Sequence, residues 1–389
     1  MLPLRLRLLK GFDRTVGAWL CRRVQPTFRN GAAEPSAGRP LRRGGQGAPV
    51  PKTGVARILV IRPGGIGDAV LAFPMLRALH EHYDEAMLDV LGERRNADVY
   101  RINGRVHAVY RYDEGPAASL RVLRHLAAQR YQIVVDTEQY HRLTPVVANY
   151  LRPAYICGFD TLGRGRLQTH RVRYTESIYE VYSFLHLAEA LIGRPIAFDR
   201  DQPFLEVDPR WRDWATETLA AHHQRPIAVI VPGASTPHKY WPPERYAAVA
   251  AWLIQRGYFL VILGGQDSLE FARVIVARHG PDAVLNLAGR TSLPQVAGLI
   301  QHASLYISSD TGPLHIAYGV GTPTVHMFGS GIMEKWAPQG RRYVVVNKGL
   351  PCSPCTRYGY TPPCPYGVAC MEAIQVADVV AAIEEVLRR

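Results

Sequence analysis

The sequence lacks any long hydrophobic run. Its 389 residues contain no stretch close to the roughly 20 consecutive apolar residues that a membrane-spanning helix needs. The first 24 residues also lack the uncharged central region of a secretion signal, because Arg5, Arg7 and Lys10 interrupt it. We therefore expect a cytoplasmic chain that does not cross a membrane.

Net positive charge is low outside the N-terminal arm. The net charge is +13, but residues 1–57 hold twelve Lys and Arg against Asp13 and Glu34, so the rest of the chain carries only +3. A protein that reads nucleic acid usually carries basic residues over its folded surface. The distribution argues against a nucleic-acid partner and predicts a nearly neutral body with one cationic arm.

The arm, residues 1–56, has two parts. Wound as a helix, residues 1–24 place apolar side chains on one face (Leu9, Phe12, Val16, Leu20) and basic side chains opposite (Arg7, Lys10, Arg14). This pattern is typical of a helix on an anionic membrane surface. A helix packed on its own protein, or a disordered extension, explains it equally well. Residues 25–52 are rich in Pro, Gly and Arg, which predicts a linker.

Beyond the arm, short apolar runs alternate with helical segments in two series. The runs cover residues 57–62, 86–91, 106–112, 131–136 and 154–159, and then 226–233, 258–265, 283–289, 304–310 and 323–329. The alternation predicts two doubly wound parallel α/β domains, residues 57–200 and 201–389. In such sheets ligands bind at the carboxyl ends of the strands, so we expect the site in the cleft that the two domains leave.

A glycine-rich turn with a single acid follows the first strand. In PGGIGD, residues 63–68, Gly65 and Gly67 let a ligand approach the backbone, and Asp68 lies where a helix begins. The turn lacks G-x-G-x-x-G spacing and no acid ends the run at 86–91, so a dinucleotide-dependent oxidoreductase is disfavoured. By itself, Asp68 is well explained as a helix N-cap.

A second strand-to-helix motif is VPGASTPHKYWPPERY, residues 231–246. Lys239 supplies a cation, and Ser235 and Thr236 supply hydroxyls. This combination suits a diphosphate group. A solvated turn is the structural alternative.

A third motif is SSDTGPLHIAYGVGTP, residues 308–323. Asp310 is placed to cap the helix, whose first turns would offer backbone amides to phosphate oxygens. The residues of those turns are Thr311, Gly312, Pro313 and His315. A structural turn explains one such motif easily, but three at strand ends indicate a ligand site.

The ordered set of motifs resembles glycosyltransferase family 9, the ADP-heptose:lipopolysaccharide heptosyltransferases, over residues 57–389. The segments that carry the resemblance are GGIGDAVLAFPMLRAL, PGASTPHKYWP, GGQDSLEFA and SDTGPLHIAYGVGTPTVHMFG. The family implies the GT-B fold, with two Rossmann-like domains that bind the acceptor and the nucleotide sugar respectively. It implies inverting transfer of heptose from ADP-heptose to a lipopolysaccharide-core acceptor, without a catalytic metal.

Other functions stay open beside this one. A different nucleotide sugar or a protein acceptor fits the same motifs, and so does a non-catalytic GT-B protein that only binds sugar. A lipid-linked acidic acceptor would place the protein on the inner face of the cytoplasmic membrane, where a cationic arm binds anionic lipid.

The resemblance also implies roles for individual residues. Asp68 becomes the general base that deprotonates the acceptor hydroxyl. Lys239, with Thr311 and Gly312, would stabilise the diphosphate leaving group, assisted by His315.

Two further binding roles are less sharply defined. The family places the nucleotide ribose near Asp267 or Glu270, and we slightly favour Asp267. On the acceptor side, Arg142, Arg164 and Arg166 are candidates to contact an anionic sugar, with solvated surface arginine as the alternative.

Four of the six cysteines lie in the segment 351–371, at Cys352, Cys355, Cys364 and Cys370. Their spacing is C-x₂-C-x₈-C-x₅-C, and the close first pair is typical of thiolates that share a tetrahedral metal ion. Disulfides are disfavoured in a reducing cytoplasm, and inert thiols are the other alternative. We predict a structural zinc or iron site with no part in catalysis.

Overall fold

The computed structural model describes residues 13–26, 47–222, 224–357 and 360–389. The chain divides into two compact units, Met1–Phe198 and Asp199–Arg389, close to the boundary expected at residue 200. Each unit is built on one six-stranded sheet. Within the described ranges, every neighbouring strand pair of both sheets is parallel, which confirms the predicted fold class.

The first sheet has the strand order β3-β2-β1-β4-β5-β6. Its strands are β1 Arg57–Ile61, β2 Met87–Gly92, β3 Ala108–Arg111, β4 Ile133–Asp136, β5 Tyr155–Phe159 and β6 His170–Val172. The central strands read as continuous Val, Ile and Leu runs because helices cover both faces of a parallel sheet. In the central pair β1 and β4, Leu59 and Val134 are fully buried.

The helices of the first unit lie before, between and after its strands along the chain. They are α1 Ala18–Arg23, α2 Ile66–Leu71, α3 Phe73–His82, α4 Pro116–Ala128, α5 Leu143–Tyr150 and α6 Glu180–Ile192. Short 3₁₀ turns at Ala97–Arg101 and Arg164–Leu167 connect other elements.

The second unit repeats the plan, with the strand order β12-β11-β10-β7-β8-β9. Its strands are β7 Ile227–Val231, β8 Phe259–Ile262, β9 Val284–Asn286, β10 Leu305–Ser309, β11 Thr324–Met327 and β12 Tyr343–Val346. Its helices are α7 Pro209–Leu219, α8 Pro243–Gln255, α9 Leu269–His279, α10 Leu293–Gln301, α11 Gly312–Val320, α12 Met333–Trp336, α13 Ala369–Glu372 and α14 Val376–Arg388.

Both sheets reverse their strand order at one point. Numbered within its unit, each sheet reads 3-2-1-4-5-6, so the reversal falls between β1 and β4 in the first unit and between β7 and β10 in the second. The chain leaves these two strands toward opposite faces of the sheet, and ligands of such folds bind in the opening between them. The three sequence motifs follow β1, β7 and β10.

Part of the N-terminal arm packs on the first unit. Asp13 is 4% exposed, and its carboxylate accepts hydrogen bonds from the backbone N–H groups of Arg142 (2.7 Å) and Leu143 (2.8 Å) where α5 begins. Asn149 donates to the carbonyl of Gln25 at 3.2 Å. Residues 13–26 therefore pack on their own protein, one of the alternatives that the sequence left open, whereas 1–12 and 27–46 lie outside the described residues.

The folded body begins earlier than the expected boundary at residue 57. Val50 is only 2% exposed, and its N–H donates to the carbonyl of Leu191 at 2.8 Å. The expected linker therefore ends before Val50, since this side chain is anchored against α6. In the part of the chain that the structure describes, no helix has the length and apolar composition needed to cross a membrane.

The Asp13 contact yields a stability prediction. Asp13→Ala should lower the free energy of unfolding by about 1 kcal/mol, because two N–H groups at the start of α5 lose their acceptor. Asp13→Asn, which keeps a side-chain oxygen, should lose much less. Urea denaturation measures both variants, and an unchanged midpoint for Asp13→Ala would contradict the role of this carboxylate.

Candidate active site

The turn after β1 presents Asp68 at the carboxyl edge of the first sheet. Gly65 is the N-cap of α2 and Asp68 lies in the first turn, so the acid does not cap this helix. Its side chain is 28% exposed, and its Oδ2 lies 3.3 Å from Nη2 of Arg62. Gly67 is the second residue of α2. Asp68 is therefore partly accessible, and it is not the helix N-cap that the sequence alone would explain.

A second carboxylate, Glu138, follows β4 at the same edge but is enclosed. It is 4% exposed, and Oε1 accepts the N–H groups of Gln139 and Tyr140, both at 2.9 Å. Its other oxygen, Oε2, lies 3.1 Å from Nδ1 of His141. Burial opposes ionisation, but the hydrogen bond and charge of His141, with the charge of Arg62, hold the pKa of Glu138 well below its usual range. Glu138 is a fixed anion enclosed by the protein, whereas Asp68 is partly accessible.

The arginines proposed for the acceptor separate into different environments. Arg164 is fully buried and pairs with Asp136 at 2.6 Å, so its role is structural and it cannot meet an acceptor. Arg142 donates through Nε to the carbonyl of Leu162 at 3.3 Å, and Arg166 donates to the carbonyl of Arg22. Arg142 and Arg166 lie at the surface, and their contact with an acceptor stays a prediction.

In the second unit, an ion pair joins the loops after the first and fourth strands. Lys239 ends the 3₁₀ turn Pro237–Lys239 after β7, and Asp310 directly follows β10. Lys239 Nζ lies 2.5 Å from Asp310 Oδ2, with the side chains 24% and 12% exposed respectively. Two of the predicted motifs therefore meet at the reversal of the second sheet. Ser235 is exposed in the loop before Lys239.

Helix α11 starts beside this pair. Thr311 is its N-cap, without a side-chain capping bond, and Gly312 and Pro313 open the first turn. A helix of nine residues directs its first N–H groups and the positive end of its dipole outward, which favours an anion. His315, the fourth residue of α11, is 4% exposed.

Buried polar atoms without a hydrogen-bond partner gather around the same loops. Among the described residues they include the hydroxyl oxygen of Thr236 and both ring nitrogens of His326. Burial, with the nearby charge of His315, lowers the pKa of His326 to about 3, so this ring is neutral. Leaving such atoms unpaired costs free energy, so their concentration at one sheet edge favours a polar ligand there.

The structure does not distinguish between the two candidates for the ribose contact. Asp267 and Glu270 are both exposed where the chain passes from β8 into α9, and both raise the pKa of Tyr240, after the larger effect of burial. Ser268 holds this turn to the one after β7, because its Oγ accepts the N–H of Gly233 at 3.2 Å. The choice between Asp267 and Glu270 stays open.

The four cysteines of the tail are unbridged and partly exposed. Cys364 Sγ accepts the N–H of Val368 at 3.4 Å, and the N–H of Cys355 donates to the carbonyl of Ser330 at 3.2 Å. Within the described ranges, no group of three or more His, Cys, Asp or Glu side chains is arranged to hold a metal ion. Burial, and after it the other cysteines of the tail, raises the pKa of Cys355 and Cys370, so Cys352, Cys355, Cys364 and Cys370 lie near one another. A metal bound by these four thiols stays a prediction.

Sequence reasoning missed several polar residues of these edges. Arg62 immediately precedes the glycine-rich turn. A cation directly after a buried strand could have indicated a functional residue at the carboxyl edge of the sheet. Glu138 follows β4 in the same way, but its enclosure by three consecutive backbone N–H groups depends on the local turn. His326 lies inside an apolar run that gives no functional signal.

Comparison with known proteins agrees with this geometry. A sequence model of glycosyltransferase family 9 (heptosyltransferase) matches residues 118–364. The chain is 26% identical over 344 residues to lipopolysaccharide heptosyltransferase 3 of Escherichia coli, which covers 82% of this chain and 96% of that protein. It is 25% identical over 313 residues to lipooligosaccharide heptosyltransferase 2 of Haemophilus ducreyi, covering 75% and 88% respectively.

A solved structure shows the same fold. The E. coli ADP-heptose lipopolysaccharide heptosyltransferase II superposes with a TM-score of 0.69 at 22% identity, covering 85% of this chain and 98% of that one. This likeness and the paired 3-2-1-4-5-6 sheets confirm the GT-B class. Since the family match also spans more than half of the chain, the protein is a glycosyltransferase that belongs to glycosyltransferase family 9.

Proposed function

We propose that the protein transfers heptose from ADP-heptose to a lipopolysaccharide-core acceptor, with inversion at the anomeric carbon. The observation that carries this proposal is the Lys239–Asp310 pair beside the start of α11. The names of the heptosyltransferase relatives support the choice of donor sugar and acceptor. The arrangement suits a nucleoside diphosphate, which all donors of this kind carry.

On the donor side, the proposal assigns the diphosphate to the second unit. Negative charge grows on the diphosphate as the bond to the anomeric carbon breaks. Lys239 and the first N–H groups of α11 would face that charge, and the hydroxyls of Ser309 and Thr311 would supply further donors. Asp310 would keep Lys239 directed toward the start of the helix.

On the acceptor side, the proposal assigns Asp68 as the general base. The acceptor oxygen bonds to the anomeric carbon from the face opposite the diphosphate, its proton passes to the Asp68 carboxylate, and ADP departs with the bonding electron pair. A single displacement of this kind inverts the configuration. Asp68 fits this role better than Glu138, because its side chain is 28% exposed and the lone pairs of Glu138 are already engaged.

We also propose that the first unit binds an anionic membrane surface, at the inner face of the cytoplasmic membrane. Trp19 on α1 is 58% exposed, and Leu162 is 57% exposed although its φ of 52° is unfavourable for this residue type. Cys21, on the same helix as Trp19, contacts the carbonyl of Gly163, next to Leu162. Exposed Arg22 and Arg23 flank this surface, and an aromatic and an aliphatic side chain among cations suit a bilayer interface.

Asp68→Asn should lower kcat by about 10²–10⁴-fold, because the variant cannot accept the proton. Folding should be preserved, since Gly65 rather than Asp68 caps α2. ADP release from ADP-heptose, with heptose-deficient lipopolysaccharide as acceptor, measures the effect. Asp98→Asn is the matched control, because Asp98 also lies 3.3 Å from an arginine, Arg101, and should retain activity. Near-normal turnover of Asp68→Asn would refute the assignment.

Lys239→Ala should weaken ADP binding by about 10–100-fold, as expected for a charge-assisted hydrogen bond. Isothermal titration calorimetry with ADP alone measures this without an acceptor. Lys348→Ala is the control, because Lys348 also pairs with an aspartate, Asp378, at 2.7 Å in the same unit. Equal ADP affinities for the two variants would contradict the donor site.

Trp19→Ala combined with Leu162→Gly should reduce sedimentation with phosphatidylglycerol vesicles at least several-fold. Leu162→Gly also removes the unfavourable backbone conformation, so stability should not fall at that position. Leu120→Ala, which changes another exposed leucine of the first unit, should bind as the unsubstituted protein does. Unchanged sedimentation of the double variant would exclude this surface.

A further inference from the structure

Arg62 lies buried directly behind Asp68. Its side chain is 2% exposed, Nη2 is 3.3 Å from Asp68 Oδ2, and Nη1 donates to the carbonyl of Thr137 at 2.8 Å. The guanidinium carbon lies 5.4 Å from the centre of the Phe184 ring. One guanidinium thus joins the loops after β1 and β4 at the reversal of the first sheet.

The backbone of Arg62 is fixed as firmly as its side chain. Its N–H donates to the carbonyl of Leu91 at 2.9 Å, and its own carbonyl accepts from Asn96 Nδ2 at 2.9 Å. These bonds continue the edge of the sheet beyond β1. The guanidinium therefore extends from a rigid base.

The glycine-rich turn is shaped around this guanidinium. Gly64 has a φ of 107°, and a Cβ at this position would lie 2.8 Å from Arg62 Nη2. A side chain at residue 64 would therefore strain the backbone and displace the cation. Gly64 leaves room for Arg62 as well as for a ligand.

The surroundings of Arg62 are acidic. Burial opposes its charge, but Asp68, Glu138 and Glu180 outweigh that effect and raise the pKa of Arg62 above its usual value. Nε of Arg62 is buried without a hydrogen-bond partner. The charge of Asp68 also raises the pKa of Tyr100 and Tyr174, in each case after the larger effect of burial.

Stability alone does not explain this arrangement. Removing two charges from water costs free energy that offsets much of the attraction between them. A buried ion pair therefore often stabilises a protein no more than apolar residues of similar size do. Here the cation is enclosed while its partner Asp68 remains accessible, which is the arrangement expected when the carboxylate has to react.

We propose that Arg62 is a positioning residue for the reaction: it fixes the Asp68 carboxylate through Oδ2, which leaves Oδ1 to take the proton of the acceptor hydroxyl. This inference rests on the proposed role of Asp68 as general base. Arg62 itself does not touch the substrate.

The kinetic test compares three variants. Arg62→Met should lower kcat by about 10²-fold with little change in the KM for ADP-heptose, because misaligned groups react slowly. Arg62→Lys, which keeps a cation at this position, should restore part of kcat.

Arg57→Met is the matched control. Arg57 lies on the same strand, and its Nη1 is also 3.3 Å from an aspartate oxygen, Asp89 Oδ2, but at the opposite end of β1. This variant should keep kcat. A kcat of Arg62→Met equal to that of Arg57→Met would overturn the inference.

A second readout needs neither donor nor acceptor. Carbodiimide labelling of carboxyl groups, read by peptide mass spectrometry, should modify Asp68 several-fold more in Arg62→Met than in the unsubstituted protein or in Arg57→Met. Equal labelling in all three proteins would refute the coupling. If the unsubstituted protein releases no ADP from ADP-heptose, the proposed function fails, while the labelling still decides whether Arg62 controls Asp68.

Discussion

The reversal of strand order in a parallel sheet is the constraint on which both units depend. Strands β1 and β4, and likewise β7 and β10, run side by side, but the chain leaves them toward opposite faces. The loops that follow must then face each other across an opening at the carboxyl edge. A charged side chain bridges the opening in each unit: Arg62 contacts the carbonyl of Thr137 in the first, and Lys239 contacts Asp310 in the second.

Each unit contains a charged pair, and in each pair one partner is more exposed than the other. In the first, the cation is enclosed and the carboxylate is accessible, with Arg62 2% and Asp68 28% exposed. In the second, Lys239 at 24% is more exposed than Asp310 at 12%. An accessible carboxylate suits the removal of a proton from a hydroxyl, and an accessible cation beside a helix start suits a diphosphate. The first unit offers a carboxylate and the second a cation, which are the two groups that the proposed transfer requires.

Local sequence predicted much of this plan. The apolar run at 57–62 became β1, and the motifs around Asp68, Lys239 and Asp310 follow strands as expected, because each depends on short-range patterns. Contacts between distant segments gave no such signal. Asp13 binds the start of α5 about 130 residues away, Arg164 turned inward to Asp136, and Val50 packs on α6. The spacing of the cysteines predicted that the four thiols lie near one another, which their mutual effects on the pKa of Cys355 and Cys370 agree with, but spacing does not establish that they bind an ion.

The most direct test of the account is the structure of the product, determined by NMR after the unsubstituted protein acts on heptose-deficient lipopolysaccharide core with ADP-heptose. We expect one added heptosyl residue whose anomeric configuration is opposite to that of the donor, with one ADP released for each transfer. Transfer with retained configuration, or transfer from a GDP- or UDP-sugar but not from ADP-heptose, would contradict it.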